Sequence, residues 1–413
     1  MPSLMTRCVA RNPVRELADT AVARDAAIGF VAAAGQSVSG TPADFPPATP
    51  LKISRNPVGP SGIGLSAFTP PGAARRGADH RTGGVGTRDE RGSRPALKLH
   101  CPPALRDDPA LGEEVNDRLV AWAEETGIYR GRLDELCAAG FGRLLMLTHP
   151  DTDDPDRLLA AAKCALAEWA TDDYYCADGV AESGATPERL PARLMVADAT
   201  VAPAHLPTRY APGLNAAIDD DPVLTALRSA VGHISRYASG QQVARLRQEL
   251  VLLFSGYNAE ASWLAQHRRP PVWEYLAGRQ VNSFLPCITL TDAVGGYELP
   301  IAEYSEPRVR RATVIAATAA TLVNDLYSMG KEQQASGLDL NLPALIAVEE
   351  RCGPAEALER AVAVHDELTL TFEAEAAALS ATGSPALGRY LGGVWAWLGG
   401  NHAWHADSPR YTS

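Results

Sequence analysis

Three polar residues in the run VNDLYSMGKE have the spacing of a cation site on a helix. Asn324, Ser328 and Glu332 follow one another at intervals of four residues, directly after an apolar stretch. Each interval turns only about 40° around a helix axis, so an amide, a hydroxyl and a carboxylate lie along one face. Oxygen donors of this kind suit a hard divalent ion such as Mg²⁺, and Lys331 lies beside the carboxylate. A solvated polar stripe is the alternative, which the preceding apolar stretch disfavours.

A second group of carboxylates stands in the run EWATDDYYCAD. Asp172 and Asp173 end a helical pattern that begins near Asp156. Adjacent carboxylates repel one another at a helix C-terminus, which already carries partial negative charge, and a bound cation would remove the conflict. A solvated acidic helix end is the alternative. Trp169 lies one turn before Asp172, on the same side of the helix, where its ring could stabilise a positive charge in a dry pocket.

The chain beyond residue 104 has the periodicity of α-helices. Apolar residues recur every three or four positions at Val115, Leu119 and Trp122, and Gly127 follows as a stop signal. No convincing alternating run, typical of a strand, interrupts this pattern. We predict an all-α bundle around a central cavity. The further helical stretches lie at about 155–177, 220–236, 241–266, 271–291, 306–333, 355–380 and 385–405.

The first part of the chain differs in composition. Residues 1–103 are rich in Pro, Gly and Arg and poor in large apolar side chains, as in the run TPPGAARRGADHRTGGVGTRDERGSRP. Such a segment buries too little apolar area to offset the entropy lost on ordering. We therefore expect a disordered leader over 1–103 and an all-α domain over 104–413.

Charge and cysteine content exclude several classes of protein. Residues 1–100 hold 13 Lys and Arg against 7 Asp and Glu, whereas residues 101–413 hold 25 against 42, a formal charge of −17. An acidic domain without a basic face argues against nucleic-acid binding. Seven scattered cysteines without CxxC spacing favour reduced thiols in the cytoplasm. No run of 18 uncharged apolar residues indicates a membrane segment.

Together, the two motifs resemble those of the class I terpene synthases, in which an aspartate-rich helix and a (N/D)DxxSxxKE helix face each other across the cavity. NDLYSMGKE fits the second pattern throughout. DDYYCAD, preceded by EWAT, is most similar to the bacterial group of the 2-methylisoborneol and 2-methylenebornane synthases. The resemblance covers about residues 100–413. Ala177 stands where that group has a third aspartate.

The resemblance implies a role for each matching residue. Asp172 would be the carboxylate metal ligand with Asp173 beside it, and Asn324, Ser328 and Glu332 would form the second metal site. Arg279, in EYLAGRQVNSF, is similar to the Arg that senses the diphosphate. The complete set of donors and aromatic residues implied around the substrate is Arg279, Lys331, Arg410, Tyr411 and Trp169.

The activity that the resemblance implies is Mg²⁺-dependent cyclisation of 2-methylgeranyl diphosphate to an eleven-carbon methylated bornane, with three Mg²⁺ ions bound alongside the diphosphate. A cyclase of geranyl or farnesyl diphosphate is an alternative. A chain-elongating prenyltransferase usually carries two aspartate-rich motifs, and a non-catalytic helical interaction protein remains a third reading. We expect no nucleic-acid or membrane partner, and a homodimer is left open.

Overall fold

The computed structural model describes residues 97–177, 189–328 and 340–408. All of these residues belong to one compact unit. Within them the chain forms helices and no strands, which confirms the predicted all-α class. None of the helices among these residues is both long and apolar enough to cross a bilayer.

The α-helices of the described residues follow one another in sixteen segments, and a π-helical turn, Asp173–Ala177, extends the fourth. They are α1 (Pro109–Thr126), α2 (Leu133–Ala139), α3 (Phe141–Thr148), α4 (Pro155–Asp172), α5 (Leu190–Val201), α6 (Ala211–Asp219), α7 (Pro222–Ile234), α8 (Gly240–Ala265), α9 (Val272–Arg279), α10 (Leu285–Ile288), α11 (Thr291–Val294), α12 (Ile301–Tyr304), α13 (Pro307–Ser328), α14 (Leu342–Glu349), α15 (Pro354–Thr382) and α16 (Pro385–Asp407).

Local signals fix the ends of the helices that lead to the site. The carboxylate of Asp108 accepts a hydrogen bond from the amide of Leu111 at the start of α1, and Gly127 ends that helix with a φ of 84°. A left-handed φ at this position favours glycine, as the predicted stop required. At the start of α4, the carboxylate of Asp154 accepts hydrogen bonds from the amides of Asp156 and Arg157. In both helices, an aspartate before the first turn therefore accepts hydrogen bonds from backbone N–H groups of that turn.

The single helix predicted over 271–291 is wrong. The structure divides it into α9, α10 and α11, with Asn282 and Ser283 in the first break. Pro286 explains this break, because a proline ring inside a continuous helix clashes with the carbonyl four residues earlier, here that of Asn282. The break brings Phe284 and Cys287 against the end of α4.

Several shorter helices are absent from the sequence prediction. The clearest case is α3, in which every residue except Arg143 is buried. Its eight residues span only about two turns, so the apolar positions are too few to distinguish a helix from a short buried strand. The other helices that the prediction did not include are α2, α5, α6, α12 and α14.

The two motif helices lie at the centre of the unit. α4 packs against α1, α3 and α7, and α13 packs against α14, α15 and α16. Small fully buried residues on α13, among them Ala312, Ala316 and Ala320, allow this close approach. The short helix α10 contacts both α4 and α13, so it connects the elements that carry the two motifs.

Packing begins a few residues before the predicted boundary at 104. Leu97 and Leu99 pack against the apolar cluster between α9, α13, α14 and α15. The amide of His100 donates to Asp366 Oδ1 over 2.8 Å, and its ring contacts Glu373. Residues 97–103 therefore belong with the helical unit. The rest of the predicted leader, 1–96, lies outside the described residues.

Candidate active site

The aspartate-rich motif lies where α4 passes into the π-helical turn. Asp172 is the last residue of α4, Asp173 the first of the turn, and both are half-buried. The hydroxyl of Tyr129 donates to Asp173 Oδ2 over 2.7 Å. The backbone N–H of the same tyrosine donates to the hydroxyl of Tyr174 over 2.6 Å. The π-helical turn is thus held by the loop that follows α1, and a π-helical insertion is a frequent mark of a functional site.

The second motif lies on the last two turns of α13, where Asn324 is half-buried and Ser328 is buried. The Nδ2 atom of Asn324 is 3.5 Å from Nε2 of His405 on α16. Nδ1 of His405 is 2.9 Å from the carbonyl oxygen of Asn401, which can only accept, so Nδ1 carries the hydrogen and Nε2 accepts. The amide nitrogen of Asn324 therefore faces His405, and its amide oxygen faces the opposite way.

Arg279 is held beside the second motif by a buried network. Its Nη2 donates to Asp325 Oδ1 over 2.7 Å, and its Nε donates to the Tyr275 hydroxyl over 2.8 Å. That hydroxyl donates to Asp325 Oδ2 over 2.6 Å, and the amide of Leu342 donates to the same oxygen over 3.2 Å. Asp325 is fully buried, so three donors from α9 and α14 compensate the loss of its hydration. The network orients the guanidinium that the sequence assigned to the diphosphate.

Acidic and thiol groups connect the two motifs along one side. Glu260 on α8 accepts a hydrogen bond from Asn282 over 2.8 Å. Burial raises the pKa of Glu260, Asp325 raises it further, and Arg279 lowers it. Burial likewise raises the pKa of the Cys176 thiol well above its usual range, and Asp172 and Glu260 add to this effect. Glu260 on α8 thus influences both the Cys176 thiol, which follows Asp172, and the group around Arg279 and Asp325.

Aromatic rings connect the motifs along another side. The Trp169 ring lies 5.3 Å from that of Phe284, between ring centroids, and 6.1 Å from that of Trp404. The Phe284 ring is in turn 6.4 Å from that of His405, whose Nε2 faces Asn324. A continuous aromatic wall thus runs from the turn before Asp172 to the second motif.

Shared neighbours link some of the predicted residues. Phe284 lies between Trp169 and His405, and His405 contacts Asn324, while Arg279 bonds to Asp325 next to Asn324. The remaining predicted residues, Lys331, Glu332, Arg410 and Tyr411, lie outside the described residues. Within the described ranges no group of three His, Cys, Asp or Glu side chains could hold a metal ion. The oxygen donors in this region are two carboxylates, an amide and a hydroxyl, and this donor set fits Mg²⁺, which prefers oxygen ligands.

Sequence reasoning did not assign a role to four residues that the structure places here. Asp325 and Glu260 act on Arg279, and His405 contacts Asn324 from a helix 81 residues away along the chain. No sequence signal reveals such long-range pairs. Glu168 differs, because an acidic residue among the buried alanines and leucines of α4, one turn before Asp172, is visible in the sequence.

Comparison with known proteins agrees with this site. Residues 163–369 match the family described as terpene synthase family 2, C-terminal metal binding. The chain is 39% identical to the 2-methylisoborneol synthase of Saccharopolyspora erythraea over 352 residues, which span 84% of this chain and 93% of that one. It is 38% identical to the 2-methylisoborneol synthase of Streptomyces coelicolor over 361 residues, 86% of this chain and 80% of that one.

Solved structures of the Streptomyces coelicolor enzyme share the fold. Its complex with Mg²⁺ and 2-fluoroneryl diphosphate has a TM-score of 0.72 and 39% identity, covering 78% of this chain and 98% of that one. Its complex with Mg²⁺ and geranyl-S-thiolodiphosphate has a TM-score of 0.70 and 40% identity, covering 76% and 96%. The fold is that of the class I terpene synthases, and the chain is an enzyme of this type. The chain belongs to terpene synthase family 2 and is similar within it to the 2-methylisoborneol synthases.

Proposed function

We propose that this chain cyclises 2-methylgeranyl diphosphate to an eleven-carbon, methylated bornane-type monoterpenoid and releases diphosphate. One observation carries the proposal: a buried run of aromatic rings connects α4 to His405, which contacts Asn324 on α13, in a chain 39% identical to a 2-methylisoborneol synthase. A trans allylic chain cannot close its ring directly, so the proposal includes a linalyl-type isomerisation before cyclisation.

The residues at the helix ends bind the diphosphate end of the substrate. Asp172 and Asp173 on one side, with Asn324, Ser328 and Glu332 on the other, would hold three Mg²⁺ ions. When bound, these ions supply the positive charge that stabilises the departing diphosphate. His405 keeps the amide oxygen of Asn324 turned away from α16, which removes one rotamer choice before binding.

Cationic side chains complete the recognition of the diphosphate. Arg279 is already oriented by Asp325 and Tyr275, so binding costs it little further side-chain entropy. A guanidinium presents its N–H groups in a fixed fork that matches phosphate oxygens. The proposal assigns Lys331, Arg410 and Tyr411 as further donors around the same group.

The aromatic wall acts on the hydrocarbon end. Ring faces attract positive charge, by about 2 kcal/mol each when water is excluded. Trp169, Phe284 and Trp404 form consecutive ring contacts, and the ring of Trp404 is almost fully buried. Such a lining folds the chain for ring closure and keeps bulk water from the cation.

Product analysis tests the proposal. The purified full chain is incubated with Mg²⁺ and, separately, with geranyl, 2-methylgeranyl and farnesyl diphosphates, and volatile products are identified by gas chromatography and mass spectrometry. We expect a bornane-type eleven-carbon product from 2-methylgeranyl diphosphate, with the highest kcat/KM of the three substrates. A larger value for geranyl or farnesyl diphosphate would assign another cyclase, and a longer diphosphate would indicate a prenyltransferase. Absence of turnover with all three substrates would favour the alternative of a non-catalytic helical interaction protein.

A matched pair of variants tests the assignment of the second motif. Asn324→Ala should lower kcat/KM by about 100-fold or more, because it removes an oxygen donor to the metal. Asn215→Ala, the same change at an exposed position on α6, serves as the control. Circular dichroism should show equal helicity for both. Near-normal turnover by Asn324→Ala would remove this residue from the metal site.

A further inference from the structure

An acidic residue lies in the buried wall one turn below the aspartate-rich motif. Glu168 precedes Asp172 by four residues on α4, and only 5% of its surface is exposed. At about 100° per residue, Glu168 and Trp169 lie about 40° and 60° to either side of the direction of Asp172. Trp169 contacts the aromatic wall, and Glu168 lies on the other side of the direction of Asp172, where Cys287 of α10 contacts it.

One oxygen of this carboxyl group is satisfied and the other is not. Oε2 lies 3.3 Å from the Cys287 sulfur, within hydrogen-bond distance. Oε1 is buried and has no hydrogen-bond partner among the described residues. A buried polar atom without a partner is destabilising, which is a reason to look for a bound molecule.

A second polar group lies close to the same residue. The hydroxyl of Tyr257, on α8, is 3.4 Å from the backbone carbonyl oxygen of Glu168, to which it donates. Burial raises the pKa of Tyr257 well above its usual range, and Asp172, Cys176 and Glu168 raise it further. The oxygen of this hydroxyl can still accept a hydrogen bond.

These two acceptors suit one water molecule. Buried waters make two to four hydrogen bonds. A water that donates one hydrogen to Glu168 Oε1 and the other to the Tyr257 hydroxyl has both hydrogens occupied. Its lone pairs then point away from the two residues, which is the orientation of a nucleophile.

We propose that Glu168, together with Tyr257, holds a single water molecule in the pocket and thereby directs the last cation of the cyclisation to an alcohol. This inference rests on the proposed function and names the residue that decides how the reaction ends. Glu168 is a positioning residue, because it acts on the cation through the water.

The step balances without a further reagent. A lone pair of the water forms the new C–O bond to the cationic carbon. The resulting oxonium turns one O–H away from Tyr257 and gives that proton to an oxygen of the diphosphate released at the start. Burial raises the pKa of Glu168 to about 8, so its carboxyl group is mainly neutral at pH 7. The carboxyl proton then lies on Oε2, which faces the Cys287 sulfur, and Oε1 is the carbonyl oxygen that accepts from the water. A neutral carboxyl group holds the water without offering an anion that would capture the cation itself.

The ratio of alcohol to olefin among the cyclic products tests the inference. Glu168→Leu, Glu168→Gln and Tyr257→Phe are compared with the unaltered chain, using 2-methylgeranyl diphosphate and Mg²⁺. The unaltered chain should form mainly alcohol. Glu168→Leu and Tyr257→Phe should lower the ratio at least tenfold, because each removes one acceptor. Glu168→Gln should keep it within threefold, because the amide oxygen still accepts.

The ratio of alcohol to olefin does not depend on the overall rate, so it distinguishes a role in directing the product from a general loss of activity. A slower variant with an unchanged ratio would overturn the inference, since a purely structural role changes rate and stability alone. An olefin as main product of the unaltered chain would overturn it too. If Glu168→Leu fails to fold, the ratio of alcohol to olefin formed by Tyr257→Phe serves as the test. Failure of the proposed function is distinct, because the unaltered chain would then form no cyclic eleven-carbon product.

Discussion

Buried acidic residues around the site are stabilised in two different ways. Asp325 is fully buried but accepts hydrogen bonds from Arg279, Tyr275 and the amide of Leu342. Among the described residues, the carboxyl group of Glu168 has no cationic partner and contacts only the Cys287 thiol. The first arrangement fixes a charged pair, whereas the second favours the neutral acid. A site that generates a cation benefits from this separation of charged and neutral carboxyl groups.

The neutral state of Glu168 predicts a pH dependence of stability. Burial raises its pKa to about 8 from a usual value of 4.5. The folded chain therefore retains a proton that the unfolded chain loses between these values, so the stability from this group is complete below pH 4.5 and is lost as pH rises through 8. The Glu168→Gln variant does not lose this stability. The Tm of the variant minus the Tm of the unaltered chain should therefore increase from pH 5 to pH 8.

Thermal unfolding followed by circular dichroism at pH 5 and pH 8 checks this expectation. All other titrating groups are common to both proteins, so they cancel in the difference between the two Tm values. A Tm difference that is the same at both pH values would show that Glu168 is ionised in the folded chain.

At the scale of single residues, the sequence reveals what lies within one helix. The spacing of Asn324 and Ser328 could be recognised because both stand on α13, and Trp169 with Asp172 stands on α4. The contact between Asn324 and His405 could not be recognised, since it depends on how α13 packs against α16. Spacing along a helix is local geometry, whereas packing between helices depends on the whole core.

At the scale of elements, helix periodicity predicted the long helices and missed six short ones. α15 and α16 begin and end within two residues of the predicted positions. α3 was missed because its eight residues span only about two turns, and α9 was extended too far because Pro286 was not read as a break. The close packing of α1 on α3 depends on the glycines Gly112 and Gly142, and hydrophobic periodicity gives no information about such positions.

Two glycines offer opposite outcomes for the same substitution. A Cβ atom at Gly142, on α3, would lie 2.3 Å from the backbone nitrogen of Asn116 and 2.4 Å from the carbonyl oxygen of Gly112, both on α1. Gly142→Ala should therefore lower the free energy of unfolding by about 1–3 kcal/mol or more. At Gly232, an exposed position on α7, an added Cβ atom would have no atom within 4 Å. Gly232→Ala should therefore raise the free energy of unfolding by about 0.5–1 kcal/mol.

Urea unfolding of both variants measures these changes. Equal and small effects would mean that α1 and α3 separate easily enough to admit a methyl group. That result would contradict the tight α1–α3 contact on which the position of the loop carrying Tyr129, and through it Asp173, depends.

At the scale of the whole molecule, the sequence predicted the all-α class. The predicted boundary followed composition, which changes near residue 104. The packing of Leu97 and Leu99 could not be predicted because two isolated leucines have no periodicity. Their partners lie on helices more than 160 residues further along the chain.

Two truncations should therefore differ. Removal of 1–96 should leave Tm and activity close to those of the full chain, because it spares every described contact. Removal of 1–103 should lower Tm by several degrees, because it deletes the packing of Leu97 and Leu99 and the bonds of His100 to Asp366 and Glu373. Differential scanning calorimetry compares the two with the full chain. A loss of activity on removal of 1–96 would show that the leader contributes to the enzyme.

The central claim is that the ends of α4 and α13 bind opposite sides of one diphosphate through metal ions. A crystal structure of the full chain with Mg²⁺ and an unreactive diphosphate measures this directly. We predict Mg²⁺ at about 2.1 Å from a carboxylate oxygen of Asp172, and a second Mg²⁺ at the same distance from Asn324 Oδ1 and Ser328 Oγ, both on the same diphosphate. Metal ions bound elsewhere, or separate anions at the two helix ends, would contradict the account.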